Sequence, residues 1–386
     1  MSGVLPATPA PAPVSSPPPV QTRSGRFKSV NHADFVEVTG REVDWKFSPV
    51  NRLRELIDGE LDGSPYAVMY PEVPGTTVEW IDRTDARIGT AGTPEDRASA
   101  NARTSFEKAL HIGVTGEVPV VLTVTRSDLG EAARAAHVLI TAAANSVGLI
   151  VLDSRGSGHL AENVEILVAD GAHLTVVSLQ EWGDDAIHLA SHFARVDRDA
   201  RLKHIVVSLG GSIVRVNPST HLTGAGSDVE MLGVYFADAG QHLEQQVFVH
   251  HDAPQSKSRV TYKGALNGQG AHTVWIGDVL IGRAAVGTDS YEQNRNLVLS
   301  EGTRADSIPN LEIETGDIAG AGHASATGRF DDEHLFYLQS RGITEDEARR
   351  LVVLGFLSEI VQKIGEPELE RRLSAALEAE LGQVVA

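Results

Sequence analysis

"VEILVADGAHLTVVSL" (Val164–Leu179) is two short runs rich in Val, Ile and Leu, joined by a turn at Asp170-Gly171. Each run is too short for a packed helix and is β-branched, so each reads as a strand. The join has a form that returns along the chain. Gly171-Ala172-His173-Leu174, Asp199-Ala200-Arg201-Leu202, Gly240-Gln241-His242-Leu243 and Gly302-Thr303-Arg304-Ala305 each give a turn residue, a small or polar one, a basic one and an apolar or small one. Each opens a strand after a tight turn. The spacing is irregular, which suits stacked coils with variable loops better than a propeller.

Outward from this stretch the same texture continues. "VPVVLTV", "HVLITAA", "GLIVLDS", "HIVVSLG", "SIVRVN", "VEMLGVYF", "QQVFVHH", "TVWIGDVLI" and "NLVLSEG" are separated by Gly, Asp and Asn, with "EWGDDAIHLASHFARVD" the one ambiguous interruption. Aromatic residues make up only 5 % of the chain, so rows of aliphatic side chains must fill the interior. The expected core is a parallel β-helix over 114–328. Residues 1–25, dominated by Pro, Ala and Ser, read as a disordered tail.

Between tail and core, 26–113 reads as a mixed helical region. Ser48 is the expected cap of a helix in "SPVNRLRELIDGEL", "TTVEWID" (Thr76–Asp82) reads as a strand, and Thr93 is expected to cap a helix running to about Gly113. After the core, 329–386 reads as a helical domain. Asp331 caps its first helix, and Thr344 with Glu347 makes a capping box for the second. The second carries a wide apolar arc over Leu351–Ile364, which must pack on something besides its helical neighbours.

The formal charge of −19 disfavours binding to nucleic acid or an anionic membrane. No run approaches the ~18 apolar residues of a membrane span. The N-terminus lacks the basic start and apolar core of a secretory signal, so a cytoplasmic protein is expected. The chain has no cysteine, which removes disulfides and any site made of its own thiolates. There is no P-loop, no H-E-x-x-H and no nucleophile elbow.

Three patterns invite a chemical reading. Asp184-Asp185 in "WGDDAIHL" resembles the paired aspartates of polygalacturonase-type β-helix glycosidases, but the accompanying motifs are missing or out of order, and a turn explains the pair. His250-His251-Asp252 reads as a surface strand end, because consecutive strand residues point to opposite faces. His323, among small residues in "GAGHASATG", reads on pattern alone as a structural histidine.

The stretch 261–343 resembles the SufB/SufD family of iron–sulfur cluster assembly proteins, through "YKGALNGQG", "TDSYEQNRNLVLSEGTRADSIPNLEI" and "HASATGRFDDEHLFYLQSRGI". "GREVDWKFSPVNRL" (Gly40–Leu53) resembles the SufD branch. The resemblance implies a right-handed parallel β-helix between helical ends. It also implies a non-enzymatic scaffold subunit working with a SufB-type subunit and a SufC-type ABC ATPase, and through the complex with a cysteine desulfurase system. Its cargo is a transient iron–sulfur cluster at the SufB-type interface, with reduced flavin as a further cofactor of the complex and none bound to the subunit alone. On this reading His323 is a cluster ligand or an interface hydrogen-bonder. Asn294, Arg295 and Asn296 share that interface, and Phe336, Tyr337, Arg341, Leu354, Phe356 and Leu357 dock the ATPase. Family members often carry a cysteine two residues before the histidine; here that place is Ala321, so sulfur ligands must come from the partner. The alternative is a polysaccharide-active enzyme using Asp184 and Asp185, and a purely structural or adhesive β-helix is a third reading.

Overall fold

A left-handed backbone corner recurs once per coil. Asn145, Gly171, Asp199, Gly226, Gln255 and Gly287 all have φ between 54° and 74°. Each donates its backbone N–H to a carbonyl in the next coil: Asn145 to Asp170, Gly171 to Arg198, Asp199 to Ala225, and so on to Gly287 and Asp317. The column holds only residues that tolerate this conformation or are forced into it. At Gly171 a Cβ would also lie 2.4 Å from Asn145 Oδ1, so the corner excludes a side chain twice over.

The computed structural model describes residues 23–127, 129–329 and 332–384. Its strands stack into a parallel solenoid of about eight turns. One sheet has nine strands in the order β1 (Thr76–Asp82), β2 (Lys108–Val114), β4 (Arg134–Ala142), β6 (His159–Val168), β8 (Ile187–Val196), β10 (Ile213–Leu222), β12 (His242–His251), β14 (His272–Ile281), β16 (Arg304–Ile313). The other has eight, from β17 (Gly320–Gly328) through β15 (Asp289–Val298), β13 (Lys257–Leu266), β11 (Asp228–Ala237), β9 (Arg201–Ser208), β7 (His173–Trp182) and β5 (Val147–Gly156) to β3 (Val120–Arg126). Only the β1–β2 pair is antiparallel. The four turn motifs quoted above open β7, β9, β12 and β16 at their basic residue, and "GALNGQGAH" is a corner between the two sheets.

Both faces of most strands are apolar because both are covered. The interior is filled by residues such as Ile150, Val176, Val206, Val216 and Val247. The outer face of the nine-stranded sheet is covered by the N-terminal region, where α1 (Val50–Asp58) and α2 (Arg97–Ser105) bring Leu53, Leu56, Ile57 and Ala102 onto Ala135, Ala161 and Leu189. The outer face of the other sheet receives α4 (Glu345–Val361) and α5 (Pro367–Val384), following α3 (Asp332–Gln339). Val353, Leu357, Ile360, Leu373 and Leu377 are buried there against Val177, Ile205, Val234 and Phe236. The apolar arc of α4 is thus answered by the side of the solenoid.

Other boundaries also move. The helix expected from Thr93 to Gly113 is α2 alone: Asp96 caps it, accepting from the Ser99 backbone N–H. "KALHIGV" is β2, captured between β1 and β4, so the solenoid begins at Lys108. Ser48 does not cap α1; its hydroxyl donates to Glu244 Oε2 at 2.7 Å. The tail expected over 1–25 lies outside the described residues up to 22, while Arg23–Gly25 is a 3-10 turn with Arg23 buried on Glu95. The Asp331 cap also lies outside the described residues. The Thr344 cap is present, its hydroxyl accepting from the Glu347 backbone N–H.

A pair of interior histidines has a pH signature. His192 of β8 and His204 of β9 meet across the solenoid, Nδ1 to Nε2, at 2.8 Å. Burial holds His204 down at about 4 and His192 well below its ordinary value, with the His204 charge adding to the latter. The unfolded chain therefore binds more protons than the folded one below pH 6.5, and stability is lost as pH falls from 6.5 toward 4. For His204 alone the loss at pH 5 is on the order of 2 kcal/mol, taking 1.5 pH units at 1.36 kcal/mol each. Urea midpoints at pH 7 and pH 5 check it: a His192→Leu/His204→Leu variant should show a smaller drop than the wild type.

Candidate functional site

The C-terminal end of the solenoid is where its cover runs out. Among the described residues, no strand pairs with the free edge of β16 or of β17. Most of β17 is exposed and β16 is largely half-buried. Each free edge presents backbone donors and acceptors ready for another chain.

His323 stands on β17, its side chain 45 % exposed. Its small neighbours Gly322 and Ala324 leave approach from outside open, and a Cβ on Gly322 would press within 3.2 Å of the Tyr291 ring. Its register partner on β15 is Glu292. The two side chains approach to 3.9 Å, Nδ1 to Oε1. Glu292 is buried, and neither of its carboxylate oxygens has a hydrogen bond of ordinary geometry. It lies where Gly277 lacks a side chain: a Cβ there would sit 2.5 Å from Glu292 Oε2 and 2.3 Å from the Trp275 ring. Burial, with the nearby Asp278 charge adding, pushes the Glu292 carboxyl up to about 8. Asp278 is itself raised by burial and accepts from Asn310 Nδ2 at 3.0 Å. An exposed imidazole thus sits over a buried, protonated acid, an arrangement able to present a nitrogen ligand to a metal while the neighbouring carboxyl holds a proton.

The other expected site residues fall in different places. Asn294 and Asn296 are buried inside the coil, not at a turn and not on a surface. Asn294 Nδ2 donates to the Tyr235 hydroxyl at 2.8 Å, Asn296 Nδ2 donates to Asn294 Oδ1 at 2.7 Å, and the Tyr235 hydroxyl donates to Asn296 Oδ1 at 2.6 Å. From Asn294 Oδ1 the chain of hydroxyls runs through Ser307 to Ser325 on β17. Arg295 points outward and lies over the Phe356 ring at 5.8 Å. Phe356 is half-buried and also carries Lys263 Nζ at 4.6 Å. Leu357 is fully buried and Leu354 partly so, both against the sheet. Of the expected docking residues, Phe336 and Tyr337 are well exposed, with Arg341 stacked on the Tyr337 ring at 3.7 Å.

Asp184 and Asp185 occupy an exposed turn between β7 and β8, where Asp185 accepts from the Ser157 hydroxyl at 2.7 Å. This is the structural role a Gly-Asp-Asp turn fills. The reading of His250-His251 as a surface strand end holds for His250 only; His251 is buried, bonded to the Ser256 and Ser258 hydroxyls at 2.7 and 2.8 Å.

The family described as "SUF system FeS cluster assembly, SufBD core domain" matches residues 124–356. An iron–sulfur cluster assembly SufBD family protein of Mycobacterium bovis is 49 % identical over 365 residues, covering 92 % of each chain. The chain belongs to the SufBD family of iron–sulfur cluster assembly proteins. A relative from Mycobacterium leprae is 48 % identical over 92 % of this chain and 94 % of its own. A second, longer SufBD family protein of Mycobacterium bovis matches at 30 % over 57 % of this chain and 26 % of its own. The matched region of this SufBD protein spans the solenoid from the end of β3 and includes Glu292 and His323.

Glu292 was missed by sequence reasoning although it lies inside the quoted "YEQNRN". The available signal was Gly277 opposite it, but that pairing needs the coil register. No helix among the described residues is long and apolar enough to cross a membrane.

Proposed function

We propose that this chain is the SufD-type subunit of a SufB–SufC–SufD complex, offering His323 to an iron–sulfur cluster built at its junction with the SufB-type partner. The observation that carries the reading is the pair of free strand edges at the end that bears His323 over Glu292. Parallel edges are suited to strand addition by a second solenoid, which leaves His323 at the seam. The cluster is cargo here. A chain without cysteine contributes no thiolate, so the sulfur ligands come from the partner. Similarity over 92 % of both chains to one SufBD family protein of Mycobacterium bovis, and only partial similarity to a second, supports a distinct branch. Co-expression with SufB-type and SufC-type proteins of the same source tests it: a stable heteromeric complex is expected, and failure to co-purify with either rejects the assignment.

ATPase docking belongs on the exposed side of α3, because the α4 arc is spent on the sheet. Tyr337→Asp should abolish SufC pull-down while the circular dichroism spectrum and melting temperature stay at wild-type values, since a side chain 56 % exposed contributes little to folding. Undiminished pull-down would move the docking surface elsewhere.

A further inference from the structure

Two histidines that cluster assembly leaves unused lie on the outer side of the nine-stranded sheet. His221 of β10 and His250 of β12 are register partners on adjacent strands. Their rings stack with centroids 4.5 Å apart and planes within 1°. Asp252 follows β12 directly and brings Oδ2 to 3.2 Å from His221 Nε2. One potential ligand atom from each residue lies within 4.8 Å of the others.

Beside these atoms the next coil leaves room. A Cβ on Gly282 would sit 3.6 Å from His250 Nε2 and 3.8 Å from Asp252 Oδ1, so the missing side chain opens a space at two of the three donors. Two cations nearby are already paired: Arg195, in register with His221, lies 3.2 Å from Asp197, and Lys28, whose charge also acts on His250, lies 3.0 Å from Glu95. On the other side Leu280, in register with His250, and the Phe248 ring form an apolar wall.

We propose that His221, His250 and Asp252 bind one divalent first-row transition ion of the zinc or ferrous class. Two imidazoles and one carboxylate are a donor set that holds such ions while leaving further positions open to water or another ligand. The hard ions Mg²⁺ and Ca²⁺ prefer oxygen and are poorly served here. The site is on the opposite sheet from His323, and it stands or falls independently of the scaffold role.

The test uses the full chain, alone and without an affinity tag, with Co²⁺ as the probe. Titration should produce visible d–d absorption that saturates near one equivalent and is displaced by Zn²⁺. Zn²⁺ should also raise the melting temperature by mass action. His221→Ala and Asp252→Asn should each weaken Co²⁺ binding by about tenfold or more, since losing a direct ligand costs at least what losing an outer-shell partner does. His173→Ala, at an exposed histidine on the other sheet, should bind like the wild type. Asp252→Asn is nearly isosteric at an exposed position and carries the test if His221→Ala folds poorly. Absence of Co²⁺ bands in the wild type, or bands equal in strength in His221→Ala and Asp252→Asn, overturns the proposal.

Discussion

A complex built with His323→Ala is expected to assemble normally and to yield almost no iron–sulfur cluster. The side chain is nearly half exposed on an edge strand, so truncation leaves no cavity in the coil interior. The melting temperature of the isolated subunit should therefore match the wild type. Partner binding should also persist, because a seam made by strand edges rests on many backbone hydrogen bonds and not on one ring. What disappears is the only metal-binding nitrogen side chain on β17. Reconstitution with iron and sulfide, followed by absorbance and analysis of bound iron, reads the effect. A stable mutant complex with full cluster content would remove His323 from the site. Glu292→Gln separates two roles for the residue beneath. If Glu292 works as a protonated acid, as its raised pKa of about 8 indicates, the amide preserves its shape and neutrality, and cluster yield survives. Collapse in Glu292→Gln as well would make Glu292 a charged ligand instead.

The solenoid was legible because its signals are local. Gly171-Ala172-His173-Leu174 and its three counterparts mark a corner and the first inward residue of a strand, and the structure starts strands at those places. The region before it was less legible. "EKALHIG" has apolar spacing that continues the α2 pattern, yet Lys108–Val114 becomes a strand because β1 and β4 pair with it on both sides. Neither partner is near in sequence, so propensity had no access to the deciding contact. The α4 arc was read correctly as needing a further surface, but which surface depended on the outward residues of strands far earlier in the chain, from β5 to β13. His323 was found through resemblance, whereas Glu292 was not found at all. Its significance comes from three strands brought together, with β14 and β17 meeting β15: the imidazole above it, the absent Gly277 side chain, and the Asp278 charge. Burial of Asn294 and Asn296 is likewise a fact of register: both face inward on β15, with Arg295 between them facing out.

The largest loss of folding stability should come from Arg215→Ala. Arg215 fastens the N-terminal region to the solenoid while almost completely buried. Its Nε donates to Glu244 Oε1 at 3.0 Å, one terminal nitrogen to Asp96 Oδ2 at 2.7 Å, and the other to the Asp44 carbonyl at 2.9 Å. The guanidinium lies 4.0 Å over the Trp45 ring. Asp96 is also the cap of α2, and Glu244 takes a hydroxyl from Ser48. One cation therefore joins β10, β12, the segment before α1 and the start of α2. Burial alone would raise the Glu244 pKa, but the Arg215 charge, the His242 imidazole and the Ser48 hydroxyl together more than offset this and hold it well below the carboxylate range. Removing the cation leaves two buried carboxylates, Asp96 and Glu244, without their ion-pair partner, a change worth about 3–5 kcal/mol. The sign with pH follows. In the wild type, stabilisation from a depressed Glu244 is present at neutral pH and is lost as pH falls below the ordinary value of 4.5. In the mutant the carboxylate has become the penalty, so protonation relieves it, and the deficit against the wild type should be greatest at pH 7 and shrink toward pH 4.5. Urea unfolding across that range measures the deficit, and limited proteolysis should show the segment before β2 released first. Arg215→Met/Glu244→Gln, which removes both charges, should lose less than Arg215→Met alone. An Arg215→Ala protein within about 1 kcal/mol of the wild type at pH 7 would mean that Trp45 and the apolar contacts of α1, not the buried charges, hold the N-terminal region in place.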